Sequence, residues 1–358
     1  MKQQRLNKIL QEMERQNIPQ MLISSPASIF YLTGKWIEPG ERMLTLYINT
    51  NGDKKLLINE LFPVNAIEGV ELIWYKDTDE PIGRLINIVD KTKVLGVDKF
   101  WPAHFLIKLM ERNAAAGFVN GSPIIDRTRM IKDAEEIQLM KDSSRINDSV
   151  MEEVIKTLSE EYSEKKMVNI LAEIYENKGA DGFSFSPIVA YGANAADPHH
   201  DSDSSKVQKG NNVIFDIGGV RKHYCSDMTR TVFYKEVSDE HKAVYNLVRE
   251  ANLTAIDKVK PGVRFCDIDK AARDVIENAG YGKYFTHRTG HSIGIEVHDF
   301  GDVSSVNTEE VAPGMIFSIE PGIYLSGDIG VRIEDLVLVT ETGVEVLNKF
   351  TKDLIIVK

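Results

Sequence analysis

NNVIFDIGGVRKHYCSDMTRTVFY, residues 211–234, decides the fold of the larger, C-terminal part of this chain. Runs of β-branched and aromatic residues on either side of the glycine pair read as strands. Each run nevertheless carries an acid where a sheet interior wants an apolar side chain, Asp216 in the first and Asp227 in the second. The pattern returns in GMIFSIEPGIYL (314–325), with Glu320, and in VRIEDLVLV (331–339), with Glu334. One such carboxylate is ordinarily hydrogen-bonded to a nearby loop or turned to the sheet edge. Four of them need another account, because an uncompensated buried charge costs several kcal/mol. Carboxylates gathered in one low-dielectric site either take up protons or neutralise a cation, and two divalent cations balance four carboxylates.

Working outward, four helices frame these strands. Asp133 and Glu136 form a capping box ahead of a long helix with Ile137, Met140, Ile146, Val150 and Val154 on or near one face. Ser163 caps a second helix carrying Met167, Ile170, Leu171 and Ile174, with Gly179 as its stop. A third over 244–256 is closed by Pro261 and Gly262, and a fourth over 268–279 is ended by Gly280. The front of the chain reads differently. Leu6, Ile9, Leu10 and Met13 recur at helical spacing, and strand-like runs at 21–24, 43–48, 54–59, 70–75 and 94–98 then alternate with helical stretches at 82–89 and 103–110, as in a layered α/β domain. The division expected is an α/β domain over 1–130 and an α+β domain over 131–358.

With 358 residues, 42% of them hydrophobic, the chain has material for two cores. A net charge of -11 argues against nucleic acid and acidic membrane surfaces as partners. Cys225 and Cys266 lack CxxC spacing and indicate neither a disulfide framework nor a thiolate metal site. The first residues, MKQQRLNKILQEMERQ, lack the apolar core of a signal peptide, and no run reaches bilayer-spanning length, so a cytoplasmic protein is expected.

Histidines supply the remaining polar signal. In HRTGHSIGIEVHDFG (287–301), Gly290 and Gly294 argue for a loop rather than a helical two-histidine zinc site. His291 and His298 of this loop are matched upstream by His199 and His200 in AADPHHD (195–201). An oxygen-rich set with one imidazole suits Mn²⁺, Co²⁺, Zn²⁺ or Fe²⁺. A water deprotonated between two such ions attacks a carbonyl, with a carboxylate such as Glu320 relaying the proton and His298 or His199 stabilising the oxyanion. Thr229 shares strand parity with Asp227, which puts it within reach of a supporting hydrogen bond or, equally, toward solvent.

The ordered set DIGG, SDMTRT, HRTGHSIG, EVHD, SIEPGIY and VRIED resembles the creatinase-like (pita-bread, M24-type) metallopeptidases, and among them the Xaa-Pro dipeptidases (prolidases) and Xaa-Pro aminopeptidases (aminopeptidase P). The match is close over 131–358, and the front third resembles the family's creatinase-type domain by length and strand pattern. The resemblance implies a pita-bread catalytic domain with Asp216, Asp227, His291, Glu320 and Glu334 holding two metal ions, Mn²⁺ foremost, with Asp227 and Glu334 bridging. It further implies His199, His298 and, beside the last ligand, Arg332 as substrate-binding residues, Xaa-Pro peptides as substrates, and a homodimer. Two departures stand out. Ser292 follows the ligand His291 where many members have glycine, and no Lys or Arg occurs between Arg288 and Arg332, where some prolidases carry an arginine that reads the dipeptide's carboxylate. Asp299 and Asp302 stand in that region instead, leaving Arg332, His199, His200 and Arg42 as candidate cations. A chain of this length with one small front domain is expected to be a dipeptidase rather than an aminopeptidase P.

Overall fold

The apolar runs of the front third pair into one mixed sheet. In the computed structural model, which describes residues 1–358, this sheet belongs to a unit spanning Met1–Arg129, and a second unit spans Met130–Lys358. The front unit contains α1 (Gln3–Arg15), β1 (Gln20–Ile23), α2 (Pro26–Thr33), β2 (Thr45–Asn49), β3 (Lys54–Asn59), β4 (Glu71–Tyr75), α3 (Pro81–Ile86), β5 (Val94–Val97), α4 (Ala103–Glu111), β6 (Gly117–Asn120) and α5 (Ser122–Met130). The sheet order is β4-β3-β2-β1-β5-β6, and β5-α4-β6 is a parallel βαβ unit. Leu22, Tyr47, Leu57, Leu95, Trp101 and Leu109 share its core. Two helices lie outside the sequence reading. Ser25 caps α2, Pro26 opens it and Gly34 ends it in the left-handed region at φ 71°, so its signals were all present. The other is α5, which has no long apolar periodicity to announce it.

The second unit begins with α6 (Ala134–Thr157). Asp133 accepts from the Glu136 backbone and Glu136 from the Asp133 backbone, both at 3.0 Å, which is the expected capping box. After α7 (Glu164–Asn177) come β7 (Gly182–Phe183), β8 (Ile188–Tyr191), β9 (Asn212–Ile217), β10 (Gly219–Arg221), β11 (Tyr224–Cys225) and β12 (Met228–Tyr234). Helices α8 (Asp239–Lys258) and α9 (Phe265–Asn278) precede β13 (Gly290–His291), β14 (Asp302–Val303), β15 (Ile316–Ile319), β16 (Gly322–Leu325), β17 (Ile329–Arg332), β18 (Asp335–Val339), β19 (Val344–Val346) and β20 (Ile356–Val357).

Each acidic run read from the sequence as one strand is broken. The run 211–220 divides into β9 and β10 just after Asp216, while Asp227 separates β11 from β12, Glu320 separates β15 from β16, and Glu334 separates β17 from β18. Asp216 keeps its place in the ladder between Ile188 and Thr229, whereas the other three acids stand in the gaps, and after Glu320 the missing N–H of Pro321 ends pairing outright.

Two cores flank the broken strands. Val150, Val154, Met167 and Leu171 of α6 and α7 pack on Val213, Phe215 and Val232 of β9 and β12. Val248, Phe265, Ile268 and Ala272 of α8 and α9 pack on Phe317, Ile319, Val331 and Val337. The C-terminal segment straps the two together. Asn348 accepts from Leu336 N at 2.6 Å and donates to the Asp227 carbonyl at 3.2 Å, and β20 pairs with β12. Buried Arg230 binds the carbonyls of Phe350, Thr351 and Glu334 and pairs with Asp335 at 2.8 Å, whose other oxygen takes Lys352 at 2.9 Å.

Candidate metal centre

Strand alternation aims the acids. On β9, Val213, Phe215 and Ile217 enter the α6/α7 core, so Asp216 faces the other way. β12 runs antiparallel beside it with Thr229 opposite Asp216, and Asp227, two residues earlier, shares the face of Thr229. His291 arrives on β13, which crowds β15 so closely that a Cβ on Gly290 would stand 1.9 Å from the Ser318 carbonyl oxygen. Only glycine fits there. Ser318 then links the elements, its hydroxyl accepting from His291 N at 3.0 Å and donating to Glu320 at 3.2 Å.

These residues converge. Asp227, His291 and Glu334 offer atoms that all lie within 4.8 Å of one another, and His291 Nε2 is 3.6 Å from Asp227 and 3.5 Å from Glu320. Asp216 Oδ1, Asp227 Oδ1 and Glu334 Oε1 are buried without any hydrogen-bond partner. His291 Nδ1 lies 3.2 Å from the Ser292 carbonyl, an acceptor only, so Nδ1 carries the proton and Nε2 turns a lone pair toward the carboxylates. Burial, then His298, pushes the His291 pKa down to about 3, which keeps the ring neutral. Burial and neighbouring carboxylates hold Asp227 and Glu334 well above the usual carboxylate range, and burial pushes Glu320 up to about 7. Lone pairs facing lone pairs, with no donor between them, are the arrangement divalent cations stabilise. The residues fit such ions.

A second layer fixes the acids. The hydroxyl of fully buried Thr229 donates to Glu334 at 2.7 Å and accepts from Arg332 Nε at 3.2 Å, so its supporting role prevails over solvent exposure. Arg332 is itself buried and engaged: it reaches Asp216 at 2.6 Å, Tyr324 Oη at 2.8 Å and the Pro198 carbonyl at 3.4 Å. Tyr324 Oη in turn lies 2.8 Å from His287 Nε2. The other nitrogen of His287 donates to the Arg288 carbonyl at 2.7 Å, so Nε2 accepts from the tyrosine. Tyr324 and His287 lay inside motifs quoted from the sequence, but nothing in spacing alone separated them from their neighbours.

Asp216, Asp227, His287, His291, Glu320, Arg332 and Glu334 line one cavity of about 600 Å³. His199 and His298 are exposed on its wall, and the rings of His298 and His291 lie 4.0 Å apart. Burial and then the Arg288 charge lower the His298 pKa. Arg288 Nη2 lies 3.3 Å from His298 Nδ1. Because a guanidinium only donates, Nδ1 accepts and Nε2–H remains the donor on that ring. His200 turns away to Glu164 at 2.7 Å. Glu164, which the sequence reading passed over, is fully buried and also accepts from Tyr191 N, Asn194 Nδ2 and Asp203 N, pinning the loop that bears His199. A Glu in the first turn after a Ser cap usually serves the helix alone, so no sequence signal marked it.

Residues 138–341 match the model of metallopeptidase family M24, and residues 5–131 match that of the creatinase/prolidase N-terminal domain. The chain belongs to family M24. An uncharacterised peptidase of Staphylococcus aureus (strain MRSA252) is 35% identical over 357 residues, 97% of this chain and 99% of that one. A prolidase from Thermococcus sibiricus superposes with a TM-score of 0.94 at 34% identity, over 99% of each chain. A dipeptidase from Pyrococcus horikoshii OT3 does so with a TM-score of 0.92 at 35% identity, over 98% of this chain and 99% of that one. The front unit of this M24 peptidase is thus a creatinase-type α/β domain and the second carries the pita-bread fold. No helix is long and apolar enough to cross a membrane.

For an M24 peptidase with this cavity wall, His298→Ala is expected to retain metal and lose roughly a hundredfold to a thousandfold in kcat, the scale of a lost oxyanion donor. Metal analysis beside steady-state kinetics checks it. A variant with wild-type turnover removes His298 from the reaction.

Proposed function

We propose that this peptidase is an Xaa-Pro dipeptidase, using two divalent ions, Mn²⁺ foremost, held by Asp216, Asp227, His291, Glu320 and Glu334. Supporting it is the union, in one cavity, of orphaned carboxylates with an apolar wall. Phe185, Ile188 and Val297 line the same cavity and offer apolar surface suited to a pyrrolidine ring. Co²⁺, Zn²⁺ and Fe²⁺ are compatible with the same donors. When bound, the ions supply Lewis acidity and an activated water.

The chain's own groups do the rest. Glu320 takes the proton of the attacking water and passes it to the proline nitrogen as the peptide bond breaks. His298 Nε2–H donates to the carbonyl oxygen as negative charge builds there, and His199 faces the same space from its loop. Arg332 holds Asp216 in place and, through Tyr324, orients His287.

The Mn²⁺-loaded enzyme should release free proline from an Xaa-Pro dipeptide and leave an Xaa-Ala dipeptide uncut. Equal cleavage of Xaa-Ala would overturn proline specificity. Higher kcat/KM on Xaa-Pro-Xaa tripeptides would replace the dipeptidase reading with that of an aminopeptidase.

A further inference from the structure

A dipeptide presents a carboxylate one residue past the bond that is cut, and burying that anion unpaired beside a cluster of acids is strongly unfavourable. Three of the four candidate cations from the sequence are already committed, and the fourth, His199, stands on the cavity wall as a ring assigned above to the carbonyl. Arg332 is buried against Asp216, Tyr324, Thr229 and the Pro198 carbonyl. His200 is bound to Glu164. Arg42 forms a two-pronged pair with Asp77 at 2.8 and 2.9 Å.

Arg288 is not committed. It lines the cavity, its side chain is 38% exposed, and its one side-chain hydrogen bond is the 3.3 Å contact from Nη2 to His298. Its Nη1 stands 3.9 Å from Asp302, outside hydrogen-bond range. Asp302 pairs with His291 across β13 and β14 and takes the Ser304 hydroxyl at 2.7 Å on its other oxygen. A partly solvated guanidinium therefore stands one side chain away from the ring that meets the scissile carbonyl. One residue of extended peptide spans about 3.3–3.6 Å, so the carboxylate of an Xaa-Pro dipeptide falls within reach of Arg288 when the carbonyl is at His298.

The geometry points to Arg288 as the residue that reads the C-terminal carboxylate of the substrate, with Asp302 opposing it as a nearby negative charge. This rests on the reading of the chain as a proline-specific peptidase. It places the specificity for free dipeptides on the residue after His287 instead of on one beyond His298, where the sequence supplies an acid. Arg288 forms no bond with the reacting atoms. Its fork geometry matches a carboxylate bidentately, which a lysine does not.

The test compares an Xaa-Pro dipeptide bearing a free carboxylate with the same dipeptide as its C-terminal amide. Wild type, Arg288→Ala, Arg288→Lys and Asp302→Asn are assayed in the Mn²⁺-loaded form. For Arg288→Ala, the ratio of kcat/KM for acid over amide should fall roughly 10- to 100-fold, the scale of a charge-assisted hydrogen bond, with the loss carried by KM. Arg288→Lys should fall between that variant and wild type, and Asp302→Asn should move the ratio in the opposite direction by lowering KM for the acid. Release of the His298 ring in Arg288→Ala would lower kcat on both substrates alike and leave the ratio unchanged. An unchanged ratio in both Arg288 variants therefore overturns the assignment. Failure of wild type to cut either substrate would instead overturn the proline-peptidase reading beneath it.

Discussion

Asp227→Asn and Glu334→Gln are each expected to drop hydrolysis to the background of the assay while the protein stays folded. Both acids sit at breaks between strands, fully surrounded, each with one oxygen that has no hydrogen-bond partner. The amide replacements keep shape. In Glu334→Gln the amide oxygen still accepts from Thr229, so the packing between β12 and β17 survives. What disappears is one negative charge from a set that must balance divalent cations, and metal content should fall with activity. Circular dichroism should match wild type. Metal-free Asp227→Asn should be at least as stable as metal-free wild type near neutral pH, because it removes a carboxyl whose ionised form the fold disfavours. Wild-type activity at unchanged metal content would exclude these residues from the centre.

Stripping the metal with a chelator is expected to produce the second large effect, a loss of thermal stability that grows with pH. Burial raises the Glu320 pKa from the ordinary 4.5 to about 7 in the absence of cations. Between those values the folded chain holds a proton that the unfolded chain has released, so unfolding gains in favour as pH rises through this window. The contribution of this carboxyl is on the order of 3 kcal/mol, complete below about pH 4.5 and lost by about pH 7. Asp227 and Glu334, also held well above the ordinary carboxylate range by burial and neighbouring acids, contribute in the same direction. Cations that neutralise the same oxygens remove the slope and add binding free energy of their own. Melting curves of chelated and Mn²⁺-loaded protein at pH 5, 6, 7 and 8 should diverge as pH rises; parallel curves would mean that the acids are not facing one another as described.

Acids in apolar strands were legible because their cost has few remedies. Asp216, Asp227, Glu320 and Glu334 could be singled out from residue types alone, and the helix caps at Asp133 and Ser163 follow local rules that tertiary context did not override. Residues whose role depends on long-range contact were not legible. Glu164 meets His200 across 36 positions and Tyr324 meets His287 across 37, and no local pattern records such meetings. Arg332 was read as a substrate residue by resemblance, and its motif gave no sign of how fully Asp216 and Tyr324 occupy it. Arg288 was passed over for a related reason: its importance comes from what its neighbours are already bound to.

The strap formed by Asn348, Phe350, Thr351 and β20 lies C-terminal to all five residues proposed to hold metal, yet it holds the carbonyls of Asp227 and Glu334 through Asn348 and Arg230. During synthesis, all five side chains leave the ribosome before the segment that fixes them. The nascent catalytic domain therefore passes through an interval in which its acids are present but unbraced, and the centre acquires its final shape only as the tail docks.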